Sequence, residues 1–181
     1  MFSIRPHNVF FLISLAFSVS ATPLPPVEPF PEVIPGPGLP SLESLNLTST
    51  ELYTMELPND ETAKLPAHES PCGGTHLKAP VKGVVACMNY LYKLESTNCA
   101  VGAWFDAGNY NMGVTEMCRA GNAHITGSGQ RSPTNSYCSN VARTVHYIID
   151  RCTDEQGLSG GAWSVDENKA FTVAAVNLET W

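Results

Sequence analysis

Apolar residues are distributed along this chain in three different ways. From Val9 to Val19 they run almost unbroken, from Thr22 to Pro71 they are scattered among prolines and acids, and from Cys72 onward they recur with the periods of regular structure. In that last region Val81, Val84, Val85, Met88 and then Leu91 or Tyr92 follow one another at three- and four-residue spacing behind Pro80. Proline is tolerated in a first helical turn, so this predicts a helix over 80–94. Val141, Val145, Ile148, Ile149 and Cys152 fall within about 100° of one another on a helical wheel, behind Ser139 as a capping residue. They predict a second helix with Arg151 in its last turn and a stop before Gly157. Shorter runs at 100–105, 114–119, 123–126, 161–165 and 170–178 read as strands. In the last of these Phe171, Val173 and Ala175 alternate with Thr172, Ala174 and Val176, an arrangement apolar on both faces that suits a central strand. Asp166 to Lys169 reads as its hairpin loop. The expected fold is α+β: a small antiparallel sheet with two main helices packed on it.

The N-terminal run, with Arg5 before it and Val19-Ser20-Ala21 after it, has the parts of a secretory signal over 1–21, cut after Ala21. It is shorter than the roughly 18 to 20 apolar residues that span a bilayer, and no later segment is longer, so no transmembrane segment is expected. An exported chain with six cysteines, at positions 72, 87, 99, 118, 138 and 152, implies disulfides. The pairing is open, except that Cys138 and Cys152 bracket the second helix, and at 1.5 Å rise their separation of roughly 21 Å prevents a mutual bond. The closest cysteines, Cys87 and Cys99, lack the spacing of a zinc knuckle, so no metal is expected.

Charge divides the rest. The stretch 22–71 carries eight acids against Lys64 alone, together with eleven prolines, and reads as a disordered, Pro-rich acidic leader. It holds the sequon Asn46-Leu47-Thr48, a candidate glycosylation site. Residues 72–181 carry eight Lys and Arg against nine Asp and Glu, so this domain is nearly neutral, and most of the net charge of −7 belongs to the leader. Such neutrality argues against dedicated nucleic-acid binding, which draws on clustered cations.

Candidate chemistry is sparse. His124 alternates with Ala123 and Ile125 and points away from their side, near Glu116 and Arg119 on an adjacent strand; histidine, carboxylate and arginine together supply acid, base and phosphate clamp for RNA cleavage. His146 sits on the flank of the second helix and reads as solvated, and His76 lies in a loop. Gly127-Ser128-Gly129 lacks the surroundings of a catalytic serine, and no phosphate-binding glycine loop occurs, so no cofactor is expected. A binding site has more material. Trp104, Tyr110 and Trp163 lie close in sequence to Asp106, Asn109, Asn111 and Ser164, and sugars present C–H faces ringed by hydroxyls that suit an aromatic platform with amides and carboxylates at its rim. The same residue types also serve cores and turns.

The runs CMNYLYKLESTNCAV, MCRAGNAHITGSG and SYCSNVARTVHYIIDRCT, closed by a Gly-Gly strand and AFTVAAVNLE, resemble the secreted fungal glycan-binding proteins called Y-three-like. The resemblance covers most of 72–181 and rests on cysteine placement and the second-helix motif. It implies an α-β-α sandwich around an antiparallel sheet, lectin-like binding of N-acetylhexosamine-containing glycans or glycoproteins, a homodimer, and an associated nuclease activity. A looser resemblance, to secreted fungal killer toxins and necrosis-inducing effectors, implies action on host or competitor cells.

Overall fold

The computed structural model describes residues 30–56, 72–102, 104–106, 109–111, 113–129 and 134–178, with backbone alone at 104–106 and 109–111. The signal region falls outside them. In chain order the elements are β1 (Val33–Pro35), α1 (Ser49–Thr54), β2 (Ala79–Pro80), α2 (Val81–Lys93), β3 (Asn98–Val101), β4 (Trp104–Asp106) and β5 (Asn109–Asn111). There follow β6 (Gly113–Ala120), β7 (Ala123–Gly129), β8 (Thr134–Tyr137), α3 (Cys138–Cys152), β9 (Leu158–Ser159), β10 (Gly161–Val165) and β11 (Asn168–Asn177). The main sheet has five strands in the order β1-β6-β7-β11-β10, every neighbouring pair antiparallel. Pairs β2 with β9, β3 with β8 and β4 with β5 form small ribbons around it. Among the described residues no helix is long and apolar enough to cross a membrane.

The α+β class, the antiparallel sheet and the two long helices are as the sequence predicts. Strand β11 lies between β7 and β10, with Phe171, Val173 and Ala175 fully buried on one face. Both long helices pack on that face: the Cys87–Cys118 bridge ties α2 to β6, while Tyr147 of α3 meets Trp163 of β10, the register partner of Val173. The described helices therefore share one side of the sheet, where the α-β-α order implied by the resemblance would divide them between two. Thr126, Ser128 and Thr172 stay half-exposed on the other face.

All six cysteines are bridged, Cys72–Cys152, Cys87–Cys118 and Cys99–Cys138, so that each end of α3 is fastened to a different segment. Helix α3 starts at Cys138 without a side-chain cap, and Ser139 is already inside it. Its first N–H groups are taken by carbonyls of the turn after α2, Cys138 N–H donating to Thr97 O (2.9 Å) and Ser139 N–H to Glu95 O (3.2 Å). At its far end Asp154 accepts from the backbone of Leu158 and Gln156 and pairs with Lys78 Nζ at 3.0 Å. Those backbone N–H groups, Leu158 first, and Lys78 hold its carboxyl below the usual range.

Two further expectations are corrected. His146, read as solvated, is 7% exposed, with Nε2 3.7 Å from Asp150 and Nδ1 lacking a partner among the described residues. Helix α3 packs on the sheet and along α2 at once, so its buried arc is wider than the single stripe a wheel assumes.

The second correction is larger. Residues 30–56, read as disordered leader, fold onto the domain. Strand β1 pairs with the outer edge of β6, Val33 opposite Ala120 and Pro35 opposite Cys118. Thr48 and Glu51 form a reciprocal capping box that starts α1, whose Leu52 is fully buried beside α2. Proline and acid composition argues against an independent core, but this segment borrows one. The candidate glycosylation residue Asn46 lies exposed in the turn before α1.

Tyr90 of α2 is also fully buried, and its hydroxyl donates to Pro40 O at 2.6 Å. Burial pushes this phenol up to about 12 from an ordinary 10. A raised folded-state value means that the proton is held more tightly in the folded protein, so the stabilisation is complete below pH 10 and is lost as pH rises towards about 12. Denaturant titrations at stepped alkaline pH should show that decline, and Tyr90→Phe should flatten much of it. An equally steep decline in the variant would place the titrating group elsewhere.

Candidate functional site

Strands β6 and β7 form a hairpin whose regular alternation is broken once. The register shifts between Glu116 and Cys118, with Glu116 opposite Thr126 and Arg119 opposite His124. Residues three apart in a regular strand point to opposite faces; the bulge at Met117 restores Glu116 and Arg119 to one face, the one that carries His124 and Thr126 away from the helices. His124 Nδ1 lies 2.5 Å from Glu116 Oε2. The imidazole is 8% exposed, and its Nε2 has no partner among the described residues. Nδ1 is thus committed to Glu116, and Nε2 is the ring nitrogen left for a ligand. The exposed Arg119 guanidinium makes no hydrogen bond or ion pair among the described residues.

A cleft of about 430 Å³ opens over this row. Its floor includes Arg119 and His124, the β6–β7 turn contributes Gly121 and Asn122, and Leu178 closes one end. The opposite wall is Pro31, Glu32 and Ile34 of the N-terminal segment. On the far side of Glu116 a smaller hollow of about 180 Å³ lies between Pro37, Gly38 and Leu39 and strands β3 and β6. The cleft thus holds the Glu32 carboxylate, the His124 imidazole and the Arg119 guanidinium, with Glu116 on the Nδ1 side of the imidazole, a set able to move protons and to grip an anion. The structure brings together all three residues of the sequence-derived acid–base group. It adds Glu32, which sequence reasoning missed because nothing in an isolated acid of the leader signals that its backbone runs alongside β6.

The sugar-platform candidates fare differently. The backbone of β4 and β5 sets Trp104 opposite Asn111, Phe105 opposite Tyr110 and Asp106 opposite Asn109, so five of the six belong to one ribbon. Their side chains lie outside the described residues. The ribbon springs from a pinch where a Cβ on Gly113 would lie 1.9 Å from Gly102 O, an approach that only glycine permits. Trp163 lies instead on the helix side of β10, its ring tilted at 50° and 5.5 Å from Tyr147, over which the Arg151 guanidinium sits at 5.4 Å. Its indole nitrogen is buried and unpaired among the described residues, so the ring serves helix–sheet packing.

No curated protein and no solved structure matches the chain. Residues 68–177, which span both the acid–base row and the ribbon, match the family model described as a domain of unknown function, DUF8794, and the chain belongs to that family.

Proposed function

We propose that this is a secreted glycan-binding protein whose contact surface is the β4–β5 ribbon and whose ligands include N-acetylhexosamine-containing glycans. The observation that carries this reading is the ribbon register, which pairs an indole-bearing position with an amide and a carboxylate-bearing position with a second amide. Three disulfides accord with an oxidising, extracellular setting. A glycan array with the full disulfide-bonded chain tests it. Saturable binding should fall by at least about tenfold in Trp104→Ala, the loss of one stacked ring being worth over 1 kcal/mol, and should persist in Trp163→Phe. Permeabilisation of cells with no inhibition by any sugar would favour the toxin-like alternative.

The His124 cleft supports a second reading, cleavage of RNA phosphodiesters by transesterification. Glu32 would take the proton from a ribose 2′-hydroxyl as its oxygen attacks phosphorus, Arg119 would hold the phosphoryl oxygens, and His124, starting as imidazolium held at Nδ1 by Glu116, would give its Nε2 proton to the departing 5′-oxygen, leaving a 2′,3′-cyclic phosphate. On that reading His124→Gln lowers turnover of a fluorogenic dinucleotide by about 10²- to 10⁴-fold. No turnover by the native chain would remove this reading and leave the first untouched.

A further inference from the structure

The N-terminal segment meets the domain as a bound peptide would. Strand β1 extends the sheet edge by main-chain bonding, and the contact continues as Gly36 N–H donates to Met117 O at 2.8 Å. A Cβ at Gly36 would lie 2.1 Å from Glu116 O, so the backbone approaches β6 as closely as glycine allows. Further along, the Asn89 amide, 2% exposed on α2, donates to Leu52 O at 2.9 Å, and the buried Tyr90 hydroxyl donates to Pro40 O. These two polar groups of the domain have their hydrogen-bond partners in the segment. Val33 and Leu52 enter as apolar anchors, 1% and 0% exposed, and Ser49 Oγ accepts from Val33 N–H at 2.9 Å, locking strand to helix within the segment. None of the three disulfides reaches it, and it lies outside the 68–177 family match.

We propose that the β6 edge and the adjoining flank of α2 form a peptide-acceptor site for a short extended strand followed by a capped helical turn, and that residues 30–56 are its resident ligand. Strand addition provides the main-chain bonds, and the Val33, Leu52, Asn89 and Tyr90 contacts provide selectivity. The ligand also gates chemistry. Pro31, Glu32 and Ile34 wall the cleft on one side of the Glu116–His124 pair, and Pro37, Gly38 and Leu39 wall the hollow on the other, so departure of the segment removes a wall from each and uncovers His124 on the floor of the cleft. This assignment is independent of whether the cleft or the ribbon binds the physiological ligand.

The test uses the full disulfide-bonded chain with a site-specific protease sequence placed within 57–71. After cutting, the N-terminal piece should co-elute with the domain on size exclusion and exchange with a labelled synthetic peptide of residues 30–56. The same peptide carrying Leu52→Ala should bind at least about 30-fold more weakly, as expected for loss of a buried leucine anchor. Carbethoxylation of His124, followed by peptide mass spectrometry, should accelerate when the piece is diluted away and slow again on adding the peptide. Loss of the piece from a domain that stays folded and never rebinds it would overturn the proposal. Collapse of the near-ultraviolet circular dichroism whenever the piece leaves would do the same, since the segment would then be core and not ligand, as would a His124 reactivity indifferent to its presence.

Discussion

Replacing Cys87 and Cys118 together by alanine lowers the unfolding free energy by about 2 to 5 kcal/mol, the largest single loss expected in this protein. The bridge closes a 31-residue separation, and both sulfurs are fully buried between α2 and β6. Reducing it releases the unfolded chain from that closure, and alanine leaves a gap at the centre of the helix–sheet contact. The effect extends to the site, because Cys118 closes the bulge that brings Glu116 to the side of His124. Calorimetry should find the midpoint lower by on the order of 10 °C, and the weaker clamp on β6 should reduce any activity of the cleft in parallel. A midpoint within about 2 °C of the native value would show that α2 is held by its apolar contacts alone.

Leu52→Ala should be the next most damaging change, weakening docking of the N-terminal segment by about 2 to 5 kcal/mol. Leu52 is fully buried, its carbonyl accepts the Asn89 amide, and nearby Tyr53 stacks on Phe30 at 4.7 Å. Deleting the leucine side chain leaves a cavity beside α2 and strains retention of the amide bond, yet touches none of the bridged region. Loss should therefore appear first as local opening. Limited proteolysis within 30–56 should quicken about 30-fold or more if opening precedes cleavage, while the domain from Cys72 onward resists. Equal cutting rates in variant and native chain would show that Leu52 is not the anchor.

The elements legible in the sequence are those whose apolar residues face one layer. Helix α2 falls within one residue of the predicted 80–94, and β6, β7, β10 and β11 are found where alternation places them. The cysteine positions showed which bond cannot form, and the three that do form follow from a topology that spacing alone does not contain. What escaped prediction depends on distant partners. Val33-Ile34 and Leu52-Tyr53 are apolar pairs too short to show a period, and the burial of Leu52 becomes visible only once Asn89 of α2 is known to face it. Ribbons of two to four residues, such as β2 with β9, carry too few side chains to show a period. His146 is buried where a wheel places it in solvent because a wheel registers one neighbour and α3 has two. The acid–base row was partly legible: three-residue spacing in a strand would separate Glu116 from Arg119, and only the bulge at Met117, silent in the sequence, reunites them.

The uneven placement of the covalent ties sets an order of motion. Every bridge lies between Cys72 and Cys152, joining α2, α3, β3 and β6 into one stapled body, whereas β1 and α1 before it and β10 and β11 after it are held by packing and hydrogen bonds with no covalent tie. Deuterium should accordingly reach amides in graded fashion, earliest along 33–54, later in the C-terminal hairpin, and last under the bridges. A thiol reductant should erase that ranking.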